Sequence, residues 1–304
     1  MQPTWKQRIV RSHRGLAIAA VVANVVIAGT GSTVRVTGSG LGCTEWPHCL
    51  PGSLVPVEHP ELAMLTQWIE YGNRLLAVVV GVIGVLCLLA AWWSRPLRTR
   101  VLLLSAVMTG GVFAQAVIGG ITVNLGLLWW TVAFHFVVSP VLAWYAVLLW
   151  RSLDEEDGPA RPIAGALAQR LLVAAVVVLA ALVVVGTMVT GAGPHAGDAD
   201  VARFDAPVET LAQAHSVLLY LFLAVLAALG RSLRGAGVRK PYLVLLVAVL
   251  LQGAVGFAQY LTGVPAVLVV VHVLGSMAVV VAMANLWTAC RVREPATDRV
   301  VLAA

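Results

Sequence analysis

A chain of 304 residues that is 60% apolar and 11% charged, with a mean hydropathy of +0.91, cannot hide its apolar surface as a soluble domain. Its net charge of +6 does not mark a nucleic-acid binder, because the basic residues lie in short segments between apolar runs rather than along one stripe. What remains is an integral membrane protein.

Eight apolar runs are each long enough to cross about 30 Å of hydrocarbon at about 1.5 Å per residue. They are 15–33, 72–93, 101–120, 128–150, 171–190, 211–230, 242–261 and 265–289. Only helices and closed barrels satisfy their backbones in lipid, and unbroken runs without alternation are helices. The first run follows a basic segment, as a signal peptide would. It has a counterpart in the internal repeat described below, so it reads as a retained helix. Seventeen of the twenty Lys and Arg residues fall on one side of the runs, leaving only Arg35, Arg74 and Arg203 on the other. The rich side is the cytoplasmic one, with both termini on it.

After the first run comes a long outer loop, 34–71, in which Cys43 and Cys49 lie close together. A disulfide suits an oxidising outer face, and two free thiols are the alternative. The other cysteines, Cys87 and Cys290, sit in or at the end of apolar runs and read as inert filler. A second outer loop spans 191–210.

The chain repeats itself. Val36-Thr-Gly-Ser-Gly40 after the first run is echoed by Val189-Thr-Gly-Ala-Gly193 after the fifth. Gln115 stands twenty residues before His135, Gln252 stands twenty before His272, and a glycine follows each Gln by four (Gly119, Gly256). The expected architecture is all-α: eight transmembrane helices as two parallel, pseudo-symmetric four-helix bundles, 1–153 and 170–304. The linker, 154–169, contains the acidic stretch Asp154–Asp157 and reads as a cytoplasmic join. Gln115 and Gln252 read as packing or hydrogen-bonding groups between helices.

Of seven histidines, His13, His48, His59 and His195 fall in terminal or loop segments and read as polar surface. His135, His215 and His272 sit inside apolar runs, at similar depth near the outer face, where ionisable groups are expensive and mark function. Neutral imidazole ligates Zn, Cu and haem iron. Two histidines facing each other from two helices suit six-coordinate haem, and His215 and His272 form such a pair. Aligning 70–74 on 212–216 places Asn73 where the second half has His215. The first half thus keeps one histidine, His135, and adds Glu70 and Arg74. The second half reads as a closed bis-His haem site. The first reads as open at iron, with a carboxylate one helical turn away.

These features together resemble the heme A synthase family, in an actinobacterial type. The resemblance rests on V-R-V-T-G-S-G-L-G-C (34–43), C-x-x-W-P-x-C (43–49), E-x-x-x-R (70–74) and the histidines of the fourth, sixth and eighth helices, and it covers most of the chain. It implies oxidation of the C8 methyl of heme O to a formyl group by successive hydroxylations. It implies a haem b held by His215 and His272, heme O in the N-terminal bundle with His135 toward its iron, Glu70 as the catalytic carboxylate, and a Cys43–Cys49 disulfide. Many members carry His where this chain has Asn73. Arg35 and Arg74 become candidates for the haem propionates, since guanidinium pairs with carboxylate in a fork. Implied partners are heme O synthase, an unidentified electron donor and the lipid bilayer of a bacterial cell membrane, with haem sites toward the outer face. Homo-oligomers are compatible with this. A di-haem b-type electron-transfer cytochrome and a haem transporter are the competing readings.

Overall fold

The eight apolar runs form eight long helices whose ends are set by polar and turn-forming residues. The computed structural model describes residues 4–295; residues 1–3 and the tail 296–304, with Arg299, lie outside. A short helix, α1 (Trp5–Arg11), precedes α2 (His13–Val36), α3 (Met64–Trp93), α4 (Thr99–Asn124) and α5 (Trp129–Ser152). The second half follows as α6 (Ala166–Ala192), α7 (Val208–Ser232), α8 (Arg239–Leu261) and α9 (Ala266–Ala289). Among the described residues, α2 to α9 are the eight helices long and apolar enough to cross a membrane, so the chain is an all-helical, multi-pass membrane protein.

α1 is fixed by a reciprocal cap between Thr4 and Gln7. Its Trp5 meets Trp93, at the end of α3, edge-on at 4.9 Å, and Lys6 stands over both rings. α3 begins eight residues before the apolar run that announced it. Its first two turns carry Thr66, Gln67 and Glu70, which an apolar window rejects. At about 1.5 Å per residue its 30 residues reach about 45 Å, more than the hydrocarbon needs, so these turns stand at the edge of the membrane.

The helices α2 to α5 close into a ring in which each touches its neighbours. The second four do not repeat this arrangement. α6 packs on α7 and α8 on α9, but the two hairpins touch each other only lightly, and α9 leans instead on α2 and α5. The burial pattern gives the reason. Phe222, Leu226 and Leu229 are the buried residues of α7, and Leu245 and Val249 those of α8. All five belong to one core, near the end of the molecule that carries α1 and the linker. Nothing in 208–221 or 250–261 is fully buried. The first half shows the same change at the same depth: no residue in 71–79, 113–119 or 132–139 is fully buried. Each half is therefore solid toward its basic end and loosely filled over a layer toward its loop end. Eight residues of helix give that layer a height of about 12 Å.

The basic end is clamped by the acidic linker, which the sequence presented as a plain join. Asp157 accepts from Arg98 at 2.7 and 3.0 Å, Glu155 lies 2.7 Å from Arg100 and 3.6 Å from Arg293, and Asp154 pairs with Arg14. Hydrogen bonding to Asp157 raises the Arg98 pKa above its ordinary value. The linker then forms β1 (Ala160–Pro162), antiparallel to β2 (Arg291–Arg293) just after α9. First-half arginines, the linker and the end of the second half thus form one network. His13, expected at the surface, is buried in the first turn of α2. Asp157→Asn should lower stability by about 1–2 kcal/mol, read as a lower Tm of the detergent-purified chain, because it weakens a shielded charged hydrogen bond. Asp154→Asn, at an exposed pair, should leave Tm unchanged.

Candidate functional site

The histidine hairpins are built twice in the same way. Gln115 donates from Nε2 to the carbonyl of His135 at 2.9 Å, and Gln252 does the same to the carbonyl of His272 at 2.8 Å. One turn along, a glycine lets each ring lie against the neighbouring backbone. A Cβ on Gly119 would stand 3.2 Å from Cε1 of His135, and one on Gly256 would stand 2.9 Å from Cε1 of His272. The connecting turns also match. Gly126 and Leu127 both have positive φ (66° and 56°), as do Gly263 and Val264 (77° and 60°). In each turn the second of these residues donates its N–H back across the helix end, Leu127 to Thr122 and Val264 to Gln259. The left-handed conformation costs a leucine or valine about 1 kcal/mol, yet both turns keep it.

His215 of α7 rests on Gly186 of α6 by the same device, with a Cβ contact of 3.2 Å. Its ring centroid lies 6.4 Å from that of His272, with planes tilted by 58°. Two imidazoles on opposite sides of one metal, each bonded at about 2 Å with its ring radius added, have centroids about 6 Å apart. The Nδ1 atoms of His135 and His272 are buried without a hydrogen-bond partner. No three His, Cys, Asp or Glu side chains converge on a metal among the described residues. A pair of facing histidines with no further protein ligands suits a planar cofactor that brings its own equatorial nitrogens.

In the first half, Asn73 takes on α3 the face that His215 takes on α7, turned toward the preceding helix. Thr30 of α2 donates to its Oδ1 at 2.7 Å. That oxygen is engaged, and the amide nitrogen is a donor, not a ligand. His135 has no second histidine on this side.

Glu70, 5% exposed, lies one turn before Asn73. One carboxylate oxygen accepts the backbone N–H of Cys43 at 2.7 Å, and the other accepts from Arg74 at 2.5 and 3.2 Å. Cys43 and Cys49 are joined in a disulfide. Arg74 also donates to the carbonyls of Glu45, His48 and Cys43, at 2.8, 2.9 and 3.3 Å. All five of its N–H donors are used. Arg74, a candidate for a haem propionate, here staples the loop to α3. Arg35 also serves backbone carbonyls, those of Thr190 and His195, and so joins the end of α2 to the second outer loop. His195, expected as surface, is half-buried in that seam, with its Nε2 3.1 Å from the carbonyl of Val264. Trp46 of the first loop caps α4 so closely that a Cβ on Gly120 would lie 2.4 Å from its ring. The loop therefore roofs the first layer. His48 and His59 remain exposed.

The class of protein is a multi-pass helical membrane protein with a duplicated histidine layer, one copy with a facing pair and one with a single histidine beneath a disulfide-bonded loop. The profile of the cytochrome oxidase assembly protein family matches residues 14–284, and the chain belongs to this family, that of the heme A synthases. It is similar to the heme A synthase of Rhizorhabdus wittichii, 26% identical across 92% of this chain and 93% of that protein. It is also similar to those of Lysinibacillus sphaericus, 38% identical over 46% of this chain and 44% of the other, and Shouchella clausii, 32% identical over 50% of each. With these last two, the chain spans about half of the relative's length.

Arg74→Gln should release the loop at 43–62 without unfolding the helices, because it removes the charge and most of the donors that hold three loop carbonyls. Limited proteolysis should show faster cleavage in that loop, with the helical circular dichroism unchanged.

Proposed function

We propose that the protein is a heme A synthase, oxidising the C8 methyl of heme O to a formyl group by successive hydroxylations, the second product losing water. The observation that carries this reading is the divergence of two duplicated layers: His215 faces His272 in one, whereas in the other His135 stands without a second histidine and Glu70 lies at the layer's edge. In this reading the halves are 1–153 and 170–304, joined by 154–169. His215 and His272 hold a haem b. Haem b, when bound there, would supply a one-electron carrier.

His135 orients heme O from one side in the first half. Thr30 holds Asn73 so that it offers no oxygen toward the other side, which stays open for the reaction. Glu70 keeps a carboxylate at the loop edge of this layer and relays the protons that the hydroxylations consume there. Cys43 and Arg74 fix the direction of that carboxylate, so that it does not swing into the helix interior. The roof of loop 37–63, fastened by Arg74 and Trp46, excludes bulk water. The substrate's long apolar tail makes entry from lipid, or from the enzyme that makes heme O, the natural route. Each hydroxylation uses dioxygen as the oxidant, one oxygen atom entering the methyl carbon and the other leaving as water on two protons and two electrons, the electrons coming from a separate membrane or soluble donor. The excess of Lys and Arg puts the basic end in the cytoplasm and both haem sites toward the outer face of the cell membrane.

A pure electron-transfer cytochrome would need a second facing pair, and Asn73 does not supply one. The test is expression in cells that make heme O, followed by haem extraction and chromatography. Heme A or its hydroxylated precursor should appear; haem b with heme O unchanged, in the presence of reductant, would sink the proposal. Glu70→Gln should keep the low-spin optical spectrum of the purified protein but lower product formation at least tenfold. His215→Ala and Gly256→Leu should each abolish that low-spin signal, the first by removing a ligand and the second by displacing the His272 ring.

A further inference from the structure

The basic end of the second half carries a cavity of about 240 Å³ that the proposed chemistry does not use. Its walls are Ala168, Leu172 and Val173 of α6, Leu233 after α7, Trp287 near the end of α9 and Arg291 at the start of β2. It is too small for a haem, whose pocket would run to several hundred Å³. Its chemistry is amphipathic: an aliphatic floor, with Gln169 and the Arg291 guanidinium among its lining. That guanidinium lies 3.8 Å above the Trp287 ring, which holds it in place.

Charge around the cavity is unbalanced. Asp154, Glu155 and Asp157 of the linker pair with Arg14, Arg98, Arg100 and Arg293, and Glu294 is paired with Arg161. Arg291 has no acidic partner among the described residues, and neither do Arg170, Arg231, Arg234, Arg239 and Lys240. Arg170 follows Gln169 in the cavity wall, and Arg231 and Arg234 bracket Leu233. Partial burial and the like charge of Arg293 depress the Arg291 pKa, and an anion beside it offsets that repulsion.

We propose that this cavity binds one anionic phospholipid of the adjoining leaflet, its phosphate on Arg291 and Gln169 and the first segment of an acyl chain along Leu172 and Val173. Basic pockets between transmembrane helices on the cytoplasmic side are suited to anionic headgroups, and the surrounding arginines raise the local lipid concentration. Assignment to the cytoplasmic leaflet rests on the orientation proposed above; binding itself does not.

The test uses the full chain purified in detergent and titrated with phosphatidylglycerol or phosphatidylcholine, read by native mass spectrometry and thermal unfolding. Phosphatidylglycerol should add as one tightly retained molecule and raise Tm, and phosphatidylcholine should do neither. Arg291→Gln, and Val173→Trp at an exposed position of α6, should each weaken retention about tenfold. The double change Arg239→Gln/Lys240→Gln, away from the cavity lining, should weaken it less than twofold. Equal retention of the two lipids would overturn the proposal, as would wild-type retention by both cavity variants. An equal loss in the Arg239/Lys240 variant would reduce the effect to diffuse attraction and overturn it too. None of these outcomes depends on heme O turnover.

Discussion

The hydrogen bond from a glutamine amide to the carbonyl of the histidine residue itself fixes the height of each histidine in the hairpins α4–α5 and α8–α9. Within lipid, helices gain little by hiding apolar surface from one another, so sliding along a smooth interface costs little. A helical carbonyl has a lone pair left after its intrahelical bond, and Gln115 and Gln252 take it. Such a bond contributes only about 0.6–2 kcal/mol, but it singles out one register. The glycine one turn further on then lets the ring lie flat against the partner helix. Replacing either residue frees the depth or the direction of the imidazole, and two histidines must agree in both to share one metal.

This device is duplicated, while its surroundings differ between the halves. The second half leaves its hairpins apart, so that His215 and His272 face each other across a loosely filled layer. The first half closes its ring and spends polar groups on a roof. Glu70 and Arg74 form a buried ion pair, an arrangement whose desolvation is costly unless every lone pair and proton is matched. Here the matching is complete for Arg74 and reaches both oxygens of Glu70, through the loop backbone beside the disulfide. The pair is therefore stable only while the loop is docked. The carboxylate's position and the closure of the roof are one equilibrium.

Much of this was legible in the sequence wherever a pattern repeats over a short distance. The apolar runs announced α2 to α9, and the Gln–Gly–His spacing announced the two matched hairpins. Partners distant in sequence were not legible. The acidic linker looks like a solvated join until Arg98 and Arg100 stand beside it, more than fifty residues earlier in the chain. Arg35 and Arg74 read as forks for haem propionates, and the backbone carbonyls that they serve carry no residue signature. His195 looked solvated for the same reason. The early start of α3 escaped because its first turns bury polar residues, Gln67 and Glu70, that hydropathy counts against a helix in lipid. Strands of three residues, such as β1 and β2, leave no periodicity to read.

The two ends of the molecule depend on each other. A layer with few buried side chains cannot hold four helices at a set spacing, since dispersion contacts are what bind helices together in a bilayer. The spacing must be imposed from outside the layer. At the loop end it is imposed by Arg74 and Trp46 over the first half, and by Arg35 and His195 along the seam. At the basic end it is imposed by the cores around Met108, Leu149, Leu226 and Met283 and by the charged linker. The linker binds the ends of α2, α4 and α9, whose far portions bound or carry the histidine layers. A change that loosens the basic end is therefore transmitted as a change in histidine spacing rather than as local fraying. The economy of the layers, a few polar contacts and three glycines beneath three rings, is possible only because the rigid ends supply the stiffness that the layers themselves lack.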